Sequence, residues 1–138
     1  MDDSPIEQLL SAVDRMDVDA AAALLAPDCR VLAIDGQRTE GVGEFKEWLT
    51  GLYAGLRSMA HKVISEWHQD DTWIAEVEGT YELRNWLRLD SLPRAVFVRR
   101  TELGITDARF YGAHEEPITD QNTDGQMVRL GGRWIPPL

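Results

Sequence analysis

The chain has 138 residues, of which 24 are acidic and 14 are basic, so its formal net charge is −10. This length is typical of one domain. The acidic excess argues against nucleic acids and anionic membranes as partners, because both bind proteins through clustered lysine and arginine. One cysteine, Cys29, excludes an intramolecular disulfide. No apolar run approaches a membrane span and the acidic start does not resemble a signal peptide, so a cytoplasmic location is expected.

Two helices are predicted at the start of the chain. Ser4 and Glu7 have the spacing of a capping box, in which side chains pair backbone N–H groups that the first turn leaves without a partner. An apolar stripe follows at intervals of three and four, as on the buried face of a helix. Its members are Ile6, Leu9, Leu10 and Val13. Asp17 is expected to cap a second helix over residues 18–25, which Pro27 ends.

A third helix is predicted after a short hairpin. Residues 29–34 are typical of a strand, Asp35 and Gly36 are a common turn pair, and residues 37–39 are expected to return as a short second strand. The third helix then has its own apolar stripe at helical spacing. This stripe consists of Phe45, Trp48, Leu49, Leu52 and Leu56.

The second half of the chain changes to a period of two. Residues 59–68 and 72–82 predict a hairpin, and residues 95–101 and 105–112 predict two further strands. Residues 83–93 are polar and are interpreted as a connection. Helices that precede a run of strands indicate an α+β fold, with the helices packed on one face of a curved sheet.

The last part of the chain differs from the rest in composition. Residues 113–138 contain several prolines and glycines and few apolar positions. We interpret them as a C-terminal arm or tail that follows a domain formed by residues 1–112.

Four stretches, taken in order, carry a family resemblance. They are residues 24–31 (LLAPDCRV), 41–45 (GVGEF), 60–64 (AHKVI) and 104–111 (GITDARFY). In their order and spacing they resemble the nuclear transport factor 2-like superfamily, in particular its SnoaL-like branch, over residues 4–112. The resemblance implies a cone: a curved, mostly antiparallel sheet wrapped around a long helix, with an apolar cavity open at one end. It also implies homodimers that form through the convex face of the sheet.

The members of this superfamily differ in what they do. They include polyketide cyclases, ketosteroid isomerases, dehydratases, epoxide hydrolases and binding proteins without catalysis, so the fold alone does not select a function. The resemblance implies a small hydrophobic ligand. Polar residues that would face the cavity are therefore the candidates for chemistry.

Three residues are candidates for catalysis. Strand alternation places His61 and Tyr81 on the apolar face of the predicted hairpin, where an imidazole can exchange protons near neutral pH and a tyrosine hydroxyl can donate to a ligand oxygen. Asp35 follows the first strand, where related isomerases and dehydratases place an acid, and it could act as base or orient His61. The structural alternatives are a histidine bonded to a backbone carbonyl or to Tyr81, and an ordinary turn aspartate.

Aromatic side chains are the candidates for ligand binding, because they could line a pocket for a flat hydrophobic molecule. The set consists of Tyr53, Trp48, Phe97, Phe110 and Trp67. The alternative is that these residues belong to an ordinary core. In this fold the core and the pocket are continuous, so the two interpretations coexist.

Alternation also assigns the faces of the strands. The residues expected to share the face of His61 are Val63, Ser65 and Trp67. Glu66 is expected on the solvated outer face, and Asp107 and Arg109 on the convex face of the last strand. Asp14 is assigned to the surface of the first helix, which leaves Asp35 as the carboxylate with a candidate role in chemistry. Asp107 is the alternative if a bulge near Gly104 reverses the faces of the last strand.

Two functions remain open. The first is an acid–base enzyme without a cofactor, acting as a cyclase, isomerase or dehydratase on a small hydrophobic carbonyl or hydroxyl compound. The second is a non-catalytic small-molecule-binding or dimeric interaction protein. It is favoured by Leu9, Ala95 and Ala113, which stand where related enzymes carry polar catalytic groups. The spacing of the three histidines does not predict a metal site.

Overall fold

A single mixed sheet dominates the computed structural model, which describes residues 4–112 in full and the backbone of residues 128–130 and 133–135. The elements in chain order are α1 (Pro5–Asp14), α2 (Val18–Ala22), β1 (Leu25–Leu32), β2 (Arg38–Glu40), α3 (Val42–Ala54), β3 (Leu56–Gln69), β4 (Thr72–Leu83), β5 (Arg88–Thr101), β6 (Gly104–Gly112), β7 (Val128–Leu130) and β8 (Arg133–Ile135). Most of the expected C-terminal arm lies outside the described residues. The short strands β7 and β8 pair with each other.

The main sheet has six strands, in the order β2-β1-β6-β5-β4-β3. Their pairings are antiparallel except for β1 and β6, which run parallel. The sheet stays open, since β2 and β3 form its two edges. The buried faces of α1 and α3 pack with the inner face of the sheet in one hydrophobic core. This arrangement is the predicted α+β fold, with the helices gathered on one side.

The start of α1 follows from its sequence. The Ser4 hydroxyl accepts a hydrogen bond from the backbone N–H of Glu7 at 3.1 Å, as predicted. The same hydroxyl donates to the carboxylate of Glu66, which ties the helix start to β3. All four members of the predicted apolar stripe are buried. The part of the chain that the structure describes holds no helix long and apolar enough to cross a membrane.

Two boundaries differ from the prediction because prolines occupy strands. Pro27 lies inside β1, where the pairing with β6 is irregular between Leu25 and Arg30, so its missing N–H removes no regular ladder bond. Pro93 lies inside β5, next to Arg94. Arg94 and Gly112 form the terminal pair of β5 with β6, so Pro93 lies just beyond this ladder. The interpretation of residues 83–93 as a connection is therefore wrong, since β5 already begins within them.

A bulge in β3 reverses the faces expected for its second half. Val63 pairs with Val77, but Ser65 pairs with Glu76, so Ile64 is the extra residue. After one extra residue every later side chain changes face. Trp67 is consequently 60% exposed on the outer face, whereas Glu66 turns inward to Ser4, and both assignments from simple alternation are wrong.

The last strand has the predicted faces. Ala108 is buried on the inner side of β6, while Asp107 and Arg109 alternate with it on the other side. Phe97 pairs with Arg109, whose guanidinium carbon lies 5.5 Å from the Phe97 ring centroid. Phe97 therefore belongs to the outer face, because its neighbours on β5, Val96 and Val98, take the inner one.

Replacement of Ile105 by alanine tests the position of the core. Ile105 is 1% exposed on the inner face of β6, so we expect the free energy of unfolding to fall by about 2–5 kcal/mol through lost burial and a new cavity. The matched control is Ile74→Ala on β4, where the side chain is 44% exposed and the loss should stay below about 1 kcal/mol. Urea unfolding measures both. Equal losses would contradict the assignment of the two faces.

Candidate active site

A cavity of about 460 Å³ opens between α1, α3 and the inner face of the sheet. Most of its wall is aliphatic or aromatic. These residues are Leu9, Leu10, Val13, Ile34, Phe45, Trp48, Leu49, Leu52, Leu56, Met59, Leu83, Leu89, Val96 and Phe110. Four described residues with ionisable side chains complete the wall: Asp35, His61, Tyr81 and Arg94. A volume of this order is enough for a small organic ligand.

Asp14, the last residue of α1, holds His61 at two points. One carboxylate oxygen, Oδ2, accepts from the backbone N–H of His61 at 2.7 Å, and the other, Oδ1, lies 2.6 Å from the imidazole Nδ1. A carboxylate can only accept, so Nδ1 carries the proton in this contact. The side chains of Asp14 and His61 are 20% and 7% exposed. The imidazole is thereby fixed in one orientation and one tautomer.

The other imidazole nitrogen meets Tyr81. Nε2 lies 2.9 Å from the Tyr81 hydroxyl, and the two rings meet edge to face. Because Nδ1 is the protonated nitrogen of the neutral ring, Nε2 is the acceptor and the hydroxyl donates. Asp14, His61 and Tyr81 thus form a chain of hydrogen bonds from the end of α1 to the cavity. His61 and Tyr81 are therefore close together, as predicted from the hairpin.

Gly79 makes this contact geometrically possible. It pairs with His61 across β3 and β4, and it lies two residues before Tyr81 on the same face. A Cβ atom at Gly79 would lie 2.8 Å from the Cζ of Tyr81 and would also meet the hydroxyl. The tyrosine ring therefore lies over the glycine and reaches along the strand to His61.

Asp35 does not orient His61. It lines the cavity, but it is exposed, and its Oδ1 accepts a hydrogen bond from the backbone N–H of Gln37 at 3.0 Å. The group that orients His61 is Asp14, which was assigned to the surface. The sequence held one indication of its position, because Asp14 continues the buried row of Ile6 and Leu10 at intervals of four.

Tyr53 supports the site from behind the cavity wall. Its hydroxyl donates to the carbonyl of Val13 at 2.7 Å, next to Asp14. Burial raises the pKa of Tyr53 to about 12, with smaller contributions from the charges of Asp14 and Asp17. The structure thus places this tyrosine against the end of α1 and not among the residues that line the cavity.

The other aromatic candidates divide into two pairs. Trp48 and Phe110 line the cavity, as expected of ligand-binding residues. Trp67 and Phe97 lie on the outer face of the sheet, for the reasons of strand register given above. Among the described residues, no group of three His, Cys, Asp or Glu side chains could hold a metal ion.

Arg94 is a residue of the cavity that was not among the candidates predicted from the sequence. Its side chain is buried, with 6% of the residue exposed, and it lines the cavity. Its guanidinium carbon lies 5.6 Å from the ring centroid of Tyr81, and Nη1 donates to the carbonyl of Pro93 at 3.1 Å. The sequence held one indication of this position: Arg94 alternates with Val96 and Val98, which lie on the inner face of β5.

Comparison with known proteins identifies relatives of the whole described domain. A family model for the SnoaL-like domain matches residues 6–113. No curated protein sequence matches the chain. Several solved structures share the fold.

The first is a hypothetical protein with a ketosteroid isomerase-like fold from Catenulispora acidiphila in complex with trimethylamine (TM-score 0.71, 16% identity, 80% of this chain and 86% of that chain covered). The second is an LEH-like epoxide hydrolase from M. tuberculosis (TM-score 0.67, 18% identity, 78% of each chain covered). The third is a candidate SnoaL-like polyketide cyclase from Shewanella denitrificans (TM-score 0.69, 8% identity, 78% and 86% covered). The similarities confirm the predicted α+β cone.

Alkaline titration tests the burial of Tyr53. Its folded-state pKa of about 12 lies above the ordinary value of 10.0, so the native state keeps the proton longer than the unfolded chain. This stabilisation, about 2–3 kcal/mol for two pKa units, is complete below pH 10 and disappears as the pH rises toward 12. The free energy of unfolding, measured with denaturant across this pH range, should fall less steeply for Tyr53→Phe than for the wild type. Tyr111→Phe, at an exposed tyrosine, is the control, and a wild-type slope in Tyr53→Phe would contradict the assignment.

A double-mutant cycle tests the support that Gly79 gives to Tyr81. Gly79→Ala should push the tyrosine off Nε2, and Tyr81→Phe should remove the same hydrogen bond, worth about 0.5–1.5 kcal/mol net. Both variants abolish the same hydrogen bond. The double variant should therefore lose less free energy of unfolding than the sum of the losses in the two single variants. Gly51→Ala, which has no atom within 4 Å of the added Cβ, should be additive with Tyr81→Phe. Additivity at Gly79 would refute the coupling.

Proposed function

This chain belongs to the SnoaL-like domain family, and we propose that it is a cofactor-independent acid–base enzyme. Its substrate would be a small hydrophobic carbonyl or hydroxyl compound bound in the apolar cavity. The observation that supports this function is the hydrogen-bonded chain of Asp14, His61 and Tyr81 at the cavity wall. A pocket that is mostly apolar, with a few convergent polar groups, is the usual form of a site for such ligands.

His61 is the proposed general base. Its Nε2 carries the lone pair, and this atom takes a proton from the carbon next to the substrate carbonyl. The electron pair of the broken C–H bond moves into the carbonyl and gives an enolate. Tyr81, released from Nε2, donates its hydroxyl to the enolate oxygen, as an oxyanion-stabilising group does. The imidazolium then returns the proton to the same or another carbon, or to a departing hydroxyl group.

Asp14 is the proposed positioning residue for this step. Its carboxylate holds Nδ1–H at 2.6 Å, so Nε2 remains the atom that accepts the proton. When His61 becomes an imidazolium, the adjacent negative charge stabilises it, which is the role that the carboxylate has in catalytic triads. The burial of the pair increases this effect, because partly desolvated charges interact more strongly than charges in water.

Cyclisation, isomerisation and dehydration share this first proton transfer. They differ in what happens to the enolate, which depends on the shape of the bound substrate. The same proton transfer by His61 therefore fits each of these three outcomes.

A second function is favoured by the composition of the wall. Leu9 lines the cavity at the position where related isomerases are expected to carry a tyrosine. Ala95, expected at the position of their acid, is exposed on the outer face of β5, and Ala113 lies outside the described residues. A cavity wall with an apolar residue at position 9 also suits a binding protein without catalysis. Such a protein could act as a homodimer through the convex face, which exposes Trp67, Ile74 and Tyr111.

Exchange of substrate hydrogen for deuterium tests the proposed proton transfer without knowledge of the natural substrate. Hydrophobic aryl ketones are incubated with the protein in D₂O, and loss of the α-proton signal is followed by NMR. The wild type should accelerate exchange, and His61→Gln should reduce the acceleration by about 100-fold or more. His68→Gln is the matched control, since His68 lies outside the cavity and stacks on Trp73.

The outcomes separate the two functions. Exchange that persists in His61→Gln would refute the role of His61. Saturable binding of the ketones without any exchange by the wild type would refute the enzyme and support the binding protein.

A further inference from the structure

A second pocket of about 480 Å³, the outer pocket, lies beside the apolar cavity. Leu52, Leu56 and Leu83 line both, so the two share an aliphatic wall. Leu56 is buried, whereas Leu52 and Leu83 are partly exposed, so the shared wall reaches the surface at its rim. A ligand in the cavity can therefore extend over this rim and keep its apolar contacts. The remaining lining of the outer pocket consists of Gly51, Gly55, Arg84 and Asn85.

Arg84 is held at the edge of the outer pocket by the end of α3. Its backbone N–H donates to the carbonyl of Gly55 at 3.2 Å, and its Nε donates to the carbonyl of Ala54 at 2.7 Å. The guanidinium has four further N–H donors on its two terminal nitrogens. Among the residues that the structure describes, these four have no hydrogen-bond partner. They form the end of the group that binds both oxygens of a carboxylate or a phosphate.

The charge of Arg84 also differs from that of the arginines near it. Arg57 and Arg88 both lie within ion-pair distance of Glu82, at 3.0 and 4.0 Å. Arg88 lies 2.7 Å from Asp90 as well. Within the described part of the chain, no carboxylate lies at ion-pair distance from Arg84. Although the chain carries a net charge of −10, this position beside the cavity therefore keeps a positive charge that no acidic neighbour pairs.

Asn85 and Gly51 complete the outer pocket. The Oδ1 of Asn85 accepts a hydrogen bond from the backbone N–H of Leu87 at 3.0 Å, so the group that this side chain can offer a ligand is the Nδ2 donor. Gly51 lies inside α3, and a Cβ added there would meet no atom within 4 Å. The outer pocket thus combines two kinds of N–H donor with open space over the helix.

We infer that the outer pocket binds an anionic group, a carboxylate or a phosphate, of the ligand whose hydrophobic body occupies the cavity. This inference deepens the proposed function and rests on it, because it takes the cavity as the substrate site. The reacting carbonyl or hydroxyl group lies near His61, and an aliphatic stretch crosses Leu52 and Leu83 to the anion at Arg84. Binding of the remote anion then positions the reacting group, which is a use of binding energy common in enzymes.

Two probes of nearly the same shape test this inference by calorimetry. 4-Phenylbutanoate and 4-phenylbutanamide share the ring and the chain but differ in charge. The wild type should bind the acid about 3- to 10-fold more tightly, as expected of a charge-assisted pair that is partly solvated. Both should compete with methyl 2-naphthyl ketone for the cavity. 3-Phenylpropyl phosphate is of similar length, and its affinity relative to the acid identifies the oxyanion that the outer pocket prefers.

Four variants locate the effect. Arg84→Met should remove the preference for the acid and leave the affinity for the amide unchanged, which also shows that the cavity is intact. Arg84→Lys should retain part of the preference. Arg88→Met is the matched control, because it removes the same charge nearby but Arg88 lines neither pocket, and it should keep the preference. Gly51→Glu should abolish the preference by placing a carboxylate in the outer pocket, so the inference stays testable even if Arg84→Met fails to fold.

Equal affinity of the wild type for the amide and for both anions overturns the inference. An equal loss of preference in Arg84→Met and Arg88→Met does the same, since it indicates a general field and not a site. Binding of the acid without displacement of the ketone also overturns it. These measurements need no turnover, so their failure leaves the deuterium-exchange result on His61 standing, and a failure of exchange leaves the anion preference standing.

Discussion

The contact between Asp14 and His61 is the constraint on which the site depends. It joins the end of α1 to the middle of β3, two elements that lie 47 residues apart in the chain. The carboxylate satisfies a backbone N–H and a ring N–H of the same residue, so it fixes both the strand and the imidazole that the strand carries. Tyr53 holds the carbonyl of Val13 immediately before this aspartate, which secures the end of the helix.

Small residues and irregular pairings then determine which side chains reach the cavity. Gly79 leaves space for the Tyr81 ring, and Gly112 leaves space for the Arg94 guanidinium. The bulge at Ile64 turns Glu66 inward to Ser4 and removes Trp67 from the inner face. Each feature is local, but its effect depends on the partner strand, because a face is defined only once the register is known.

The resulting wall combines a large apolar area with four ionisable groups. Their arrangement is ordered by burial: Asp35 is exposed, whereas the His61 side chain and Arg94 are almost fully covered. An apolar setting strengthens the interactions of those that are buried. Such a wall suits a ligand with a hydrophobic body and one polar end, and it is compatible with both the catalytic and the binding function proposed for this member of the family.

Local patterns in the sequence determined much of the architecture. The capping box at Ser4, the helical stripes and the period of two in the second half predicted the helices, the main hairpin and the α+β class, because each depends on residues close together in the chain. The proximity of His61 to Tyr81 was also predictable, since both lie in one hairpin with a short turn. The four stretches over residues 4–112 predicted the family.

Only the tertiary structure decided the remaining parts of the site. Asp14 and Arg94 have charged side chains, and sequence reasoning places such residues at the surface unless a distant partner or cavity is known. Pro27 and Pro93 argue against strands until the neighbouring strand shows that no ladder bond is lost. The bulge at Ile64 carries no local signature, so Trp67 and Glu66 were assigned to the wrong faces. In each case the deciding contact joins residues far apart in sequence, and local periodicity contains no information about it.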